Sequence, residues 1–357
     1  MKIRNAKKIF SLFLCVLLCT SFMFAAKKNA KEKAVPMPNW VTEPAKEYPS
    51  SNYFAQVGYD SDRASAEVKA CSLIASIFSM DVKSNTKASS RMLQAEKDGL
   101  VSTGKVSSIS QDVTRQVDAE NLIGVEIKGA WFSPKENLWY CIAVLDKPKA
   151  TEIYKQIITQ NNEHVEELLS TDFDDEYSFE HFACVDFASE IAAMNEKHLS
   201  RLRIINTGAA DALKDDCASA KELNMQALEI AKQIPIAVIV NGDIDGRIRA
   251  AFSGVITKAG FRASVSSAER YVLTVNAGFT PSETTDGKNI RCQYSLTGSL
   301  MDNGLDEELL PVSIQGRGSD VDFARAQNKA LTNIEKKDVG TKFAKEFDGY
   351  LRSITVE

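Results

Sequence analysis

Histidine is nearly missing from this sequence. The three present, His164, His181 and His198, have no metal-ligating residue four positions on, so the i, i+4 ligand pair of a helical metal site is missing. No serine or cysteine nucleophile falls into recognisable spacing with a base and an orienting acid, so we expect no catalytic and no cofactor-binding residues. Of seven cysteines none forms a C-x-x-C pair, and the five beyond residue 26 (Cys71, Cys141, Cys184, Cys217 and Cys292) are widely spaced and odd in number. That pattern argues against both a structural zinc and a disulfide framework. Most read as small buried side chains, although Cys184 and Cys217, on successive helical stretches, could pair.

Excess positive charge is lacking too. The formal net charge is −5, and because Lys2, Arg4, Lys7 and Lys8 sit in the leader, removing those four cations leaves −9. An acidic body argues against nucleic acid as principal partner, because phosphate binding needs clustered Lys and Arg. With 44% hydrophobic and 25% charged residues, the chain is neither disordered nor membrane-embedded overall.

What is present begins with an export signal. Residues 1–26 combine a basic start with an apolar run from Ile9 to Phe24 and a closing Ala25-Ala26, a signal peptide or an N-terminal anchor. Phe24 is bulky for its place before the cut, so cleaved export ranks first and a retained anchor second. A lipid-modified Cys15 or Cys19 ranks third, since Leu14 and Leu18 stand where a small residue is needed. Residues 27–47, rich in Lys, Ala and Pro, read as an exposed tether.

The first domain, 48–148, opens on Asn52 to Ser84. Tyr53, Ala55 and Val57 alternate with Phe54 and Gln56 as in a half-buried strand, and Gly58 ends it. Asp60, Ser61 and Asp62 offer oxygens to a helix start, and Ala64, Val68, Cys71, Ala75 and Phe78 form its apolar stripe, widened by Ile74 and Ile77. A strand over Ser79–Asn85 and a helix through Val106, Ile109, Val113 and Val117 follow. Gly124–Phe132 and Leu138–Leu145 then form a hairpin which, centred on Lys135, sets Trp131 opposite Trp139.

Pro38, Trp40 and Val41, then Tyr53-Phe54-Ala55 with Gly58, then Leu122-Ile123-Gly124-Val125 and Trp139-Tyr140, resemble the LPP-twenty lipoprotein family of bacterial envelopes and the related N-terminal domain of flagellar assembly protein T. The resemblance spans about 38–148. It implies a non-enzymatic cell-envelope domain serving surface or flagellar structures, and brings no catalytic residues with it.

Residues 149–234 read as a helical connector. A helix over Thr151–Leu169 is followed by Asp172, Asp174, Asp175 and Glu176, where a solvated turn is favoured over a hard-cation site. Phe187, Ile191, Met194, His198, Leu202 and Ile205 share one face of a helix over Tyr177–Ile205; Thr207-Gly208 breaks it, and Ala209–Ile234 supplies a second. Together they predict an antiparallel hairpin that joins domains or forms an interaction arm.

In the last domain, 235–357, a buried strand at Ile236–Val240 leads to a helix carrying Ile248, Ala251 and Val255. Alternating strands follow at Tyr271–Phe279 and Ile290–Leu300, then a strand at Leu309–Gly316 and a terminal helix capped by Ser319-Asp320. In order of elements it is similar to envelope assembly domains of the curli-secretion and penicillin-binding-protein activator type. Two chemical candidates lie here. Asn241, Asp243 and Asp245 with Gly246 match the first half of a calcium loop, but Phe252 stands where the bidentate Glu belongs, and capping of the next helix explains the same residues. Gly316-Arg317-Gly318 could cradle an anion or simply turn the chain.

The expected fold is thus α/β in the broad α+β sense: two two-layer domains with partly antiparallel sheets, joined by a helical hairpin. The expected function is a non-enzymatic, exported structural or assembly factor of the periplasm or outer membrane, held at the inner membrane if the leader is retained. Its partners would be envelope proteins, with membrane association through the leader and no cofactor. The alternative is an activator or recruiter of cell-wall synthesis or secretion machinery acting through the last domain. An envelope hydrolase with an unrecognised site ranks below both.

Overall fold

Side-chain alternation along one strand sorts the two faces of the first sheet. The computed structural model describes residues 36–78, 123–283 and 289–354. The leader, the Ser79–Asn85 strand and the Val106–Val117 helix lie outside the described residues. The first body comprises β1 (Tyr53–Asp60), α1 (Arg63–Phe78), β2 (Val125–Ser133) and β3 (Leu138–Asp146), its strands antiparallel in the order β1-β3-β2. Phe54 points to the α1 side, while Tyr53, Ala55 and Val57 face Trp40 on the other.

Three expectations change here. Gly58 lies inside β1, and a Cβ on it would stand 2.3 Å from the Ala70 nitrogen and 2.5 Å from the Ala66 carbonyl oxygen. The helix backbone therefore rests on the strand at this point, and only small residues fit between them. This contact selects Ala66, Ala70, Ile74 and Phe78 as the buried stripe, turning Val68 out to 65% exposure. Secondly, Ser133 pairs with Leu138, which centres the hairpin between Lys135 and Glu136 and closes it through Asn137 at φ 56°. Trp131 consequently faces Tyr140, and Trp139 faces Phe132; half a residue of shift in the turn puts the two tryptophans on opposite faces. Thirdly, residues 36–47 are no tether. Trp40, 7% exposed, packs on Ile142 and Val144, and Gly129 leaves room for its ring.

The helical region is α2 (Lys147–Leu169), α3 (Phe179–Ile205), α4 (Thr207–Lys214) and α5 (Ala220–Gln233). Asn206 ends α3, and its side chain accepts from the Ala209 nitrogen to start α4, so the break precedes Thr207-Gly208. The expected second helix is split where Ser219 caps α5 by accepting from the Glu222 nitrogen. At 1.5 Å per residue α3 spans about 40 Å and passes through three cores. Phe179, Phe182 and Val185 join the last domain's core. Cys184, Ala188 and Ile191 pack with Val165 and Leu168. Leu199, Leu202 and Ile205 pack with the first body's Leu145 and Tyr154. The connector is a shared spine, not an arm.

The second sheet runs β5-β4-β6-β7-β8. Its elements are β4 (Pro235–Asn241), α6 (Arg247–Lys258), β5 (Arg262–Ser264), β6 (Tyr271–Glu283), β7 (Ile290–Asp302) and β8 (Glu307–Asp320). Strand β4 is parallel to both neighbours, and β6, β7 and β8 form an antiparallel meander. Over one face lie α7 (Phe323–Asn333), a π-helical stretch (Ile334–Phe343) and α8 (Ala344–Ser353). Asp322 caps α7 by accepting from the Arg325 nitrogen, while Ser319 and Asp320 still belong to β8. Gly316 and Gly318 also lie in β8, under the Tyr294 ring and the α7 backbone respectively. Gly316-Arg317-Gly318 is therefore a strand with a helix close upon it, not a turn. The π-helical stretch is held from outside, by Arg247 forked onto Glu335 at 2.6 and 2.9 Å and by the Tyr294 hydroxyl donating to Asp338 at 2.5 Å. Such stretches are rare and frequently border functional surfaces.

Candidate functional site

Where α3, α5, α6 and α8 converge lies a cleft of about 410 Å³. Phe182 comes from α3, Ala227 and Leu228 from α5, Val255 from α6, and Phe347 and Leu351 from α8. The floor belongs to the last domain's core; the rim carries Asp186, Asn224, Lys258 and Asp348. Gly340, in the π-helical stretch, also lines it. Leu228 is 41% exposed at the mouth, an apolar side chain in water next to charged ones. An apolar floor with a polar rim suits the seating of an apolar side chain from a partner. Among the described residues lining it there is no serine, cysteine or histidine.

The residues singled out from sequence lie elsewhere. Asp243 accepts from the Ile248 and Arg249 nitrogens, both at 3.0 Å. It thereby caps α6, whose own N-cap, Gly246, has no side chain to do so. Asn241 donates to the Asn276 side chain at 2.9 Å, and Asp245 sits in the turn at φ 56°. Among the described residues no group of three or more His, Cys, Asp or Glu side chains is placed to hold a metal ion. In the acidic break, Asp175 accepts from the Tyr177 nitrogen and pairs with Arg270 at 2.9 Å.

The nucleophile candidates are muted by their surroundings. All five described cysteines are free, Cys184 and Cys217 included. Burial raises every one of these thiols, that of Cys184 to about 11; a thiol raised this way is a poor nucleophile at neutral pH. His181 is hydrogen-bonded to the Glu176 carbonyl and stacked on Phe173.

Sequence periodicity gave no hint of the polar seam between α2 and α3. There the Asn161 amide donates to Asn195, and Asn195 in turn donates to Asn162 and the Ile158 carbonyl. One turn on lies His198, buried against Tyr154, with neither ring nitrogen hydrogen-bonded. Desolvation first, then the charges of Arg201 and Lys197, lower its pKa from 6.5 to about 4. The sign follows from linkage: the unfolded chain takes up this proton more readily, so stability is full above pH 6.5 and lost as pH falls toward 4. Between pH 7 and pH 5 the protein should lose about 2 kcal/mol more stability than a His198→Leu variant, read from urea midpoints at each pH. Parallel pH curves for the two proteins would show that His198 titrates as in water.

Among the described residues no helix is long and apolar enough to cross a membrane. No family model matches the chain, and no curated protein matches it. Among solved structures it is similar to a secreted protein of the human pathogen Helicobacter pylori, at 12% identity and TM-score 0.42 over 85% of this chain and 99% of that one. It is also similar to a minor lipoprotein of Acinetobacter baumannii, at 14% identity and TM-score 0.25 over 33% of this chain and 93% of that one. Rare lipoprotein B of Shewanella oneidensis follows at 14% identity and TM-score 0.20, over 31% of this chain and 98% of that one.

Proposed function

We propose that this chain is a non-catalytic exported protein of the bacterial cell envelope, an assembly or structural factor that grips partner proteins in the cleft between α3, α5, α6 and α8. The observation that carries the reading is the cleft's make-up, an apolar floor of Phe182, Val255, Phe347 and Leu351 under a charged rim. The leader over residues 1–26 supports export, and the raised thiols support a task without covalent chemistry. The LPP-twenty resemblance of 38–148 supports surface or flagellar structures as the assemblies served.

The test places a photo-reactive residue at Asn224 in the full chain inside cells. We expect an adduct of defined mass in the envelope fraction, and its loss in the Leu228→Asp variant while circular dichroism stays native. An adduct indifferent to Leu228→Asp, or a chain that stays in the cytosol, would overturn the proposal. Most of the cleft wall belongs to the last domain, which also favours the second reading, a recruiter of cell-wall synthesis or secretion machinery. The identity of the adduct separates the two.

A further inference from the structure

The meander β6-β7-β8 turns one face to its helices and the other to water. Leu273, Val275, Tyr294, Leu296, Val312 and Ile314 fill the inner face. The pairing register lays out the outer face in rows: Thr274 beside Ser299 and Pro311, Asn276 beside Thr297 and Ser313, Gly278 beside Ser295 and Gln315, Thr280 beside Gln293 and Arg317, and Ser282 beside Arg291 and Ser319, so that Gly278 and Pro311 interrupt an otherwise polar surface. Neighbouring strands stand about 4.8 Å apart and same-face residues about 6.8 Å apart along a strand, so the rows form a regular lattice of neutral hydroxyl and amide groups. Solvated faces of ordinary sheets commonly mix Lys and Glu with such residues. Here, from the Thr274–Ser299 row to the Arg291–Ser319 row, no carboxylate stands on the face.

Two cations close one end. Arg291 and Arg317 are diagonal neighbours on β7 and β8, close enough for like charges to repel. Among the described residues the arginine ion pairs of this domain are made by Arg247, Arg270, Arg325 and Arg352, and these two are not among them. In a protein of net charge −5, a pair of adjacent guanidiniums beside a neutral lattice is complementary to an anionic group on an otherwise neutral, hydroxyl-rich ligand.

We propose that the outer face of β6-β7-β8 binds an acidic polysaccharide, its carboxylates held by Arg291 and Arg317 and its hydroxyls by the Ser, Thr, Asn and Gln rows. This goes beyond the cleft and does not depend on it. The full chain is tested for binding to polygalacturonate, with dextran as neutral sugar and polyglutamate as acidic polymer without hydroxyls. We expect binding to polygalacturonate that is at least about tenfold weaker in Arg291→Ala/Arg317→Ala. It should be severalfold weaker in Ser295→Ala/Thr297→Val/Ser313→Ala, with native circular dichroism throughout. Absence of polygalacturonate binding overturns the proposal. So does equal binding of polyglutamate, which would reduce the surface to a charge patch, or of dextran, which would leave the arginines idle. Full affinity in the hydroxyl variant, which would leave the lattice unused, overturns it too.

Discussion

Arg270→Ala is expected to destabilise the protein by about 3–5 kcal/mol, because it strands a buried carboxylate without its counter-charge. Asp302 has 1% of its side chain exposed. The Arg270 Nε lies 3.0 Å from both carboxylate oxygens and Nη2 lies 2.7 Å from one. Nη1 reaches Asp175 at 2.9 Å, and the guanidinium stands over Tyr271 with its carbon 4.9 Å from the ring centroid. One side chain thus ties the loop before α3 to the base of β6 and the end of β7. Burial by itself would raise the Asp302 carboxyl, but the Arg270 hydrogen bonds, helped by the Gly304 and Leu305 nitrogens, hold it below the usual range. A depressed carboxyl contributes stability above its unfolded pKa, near 4, that is lost as pH falls through the folded value. The Arg270→Ala variant should therefore also lose this acid-side part of the stability curve. Urea midpoints with unchanged m-values measure the effect. In a double-mutant cycle, Arg270→Ala with Asp302→Asn should cost clearly less than the two single changes added. A loss under about 1 kcal/mol for Arg270→Ala would place the pair among exposed ion pairs of little consequence.

None of the three residues in that cluster drew notice in the sequence as a cluster, and the reason is distance along the chain. Asp175, Arg270 and Asp302 come from a loop and two strand ends. Local patterns were legible where one neighbour decides them: the alternation of Tyr53, Ala55 and Val57 against Phe54 survives in β1, and Asp62 caps α1 by accepting from the Ser65 nitrogen. The mixed α/β class and the strand–helix–meander order of the last domain were readable for the same reason. The α1 stripe was legible only at Ile74 and Phe78, since Gly58, a residue of another element, chooses which alanines face inward. The hairpin register failed on the length of a single turn. The cleft was out of reach altogether: its lining comes from four helices and the π-helical stretch, separated by up to 169 positions counted from Phe182 to Leu351, and each residue taken alone reads as ordinary core or ordinary surface.

Helix α3 is the sharpest case, because its role in two bodies hides its periodicity. A helix packed on one layer shows one apolar stripe, but α3 buries Phe179 and Phe182 at one end, Ala188 and Ile191 in the middle and Leu199 and Leu202 at the other, each against a different neighbour. A single-face reading makes it an arm joining independent domains; the packing makes it a member of both. Ala192→Pro separates the two views. Proline removes one amide donor and clashes with the Ala188 carbonyl, at about 3 kcal/mol or more. Ala192 is buried at mid-helix, so there is little room to relax. Trp40, Trp131 and Trp139 all belong to the first body and report on it by fluorescence. Cys292, fully buried in the second, reports there by thiol labelling. A spine requires that both signals shift to lower urea together in Ala192→Pro. A mere connector would leave tryptophan emission and Cys292 protection at their native midpoints, since each sheet would keep its own core. Deleting Tyr177–Ile234 should for the same reason unfold both bodies, because each core would lose the α3 side chains packed into it.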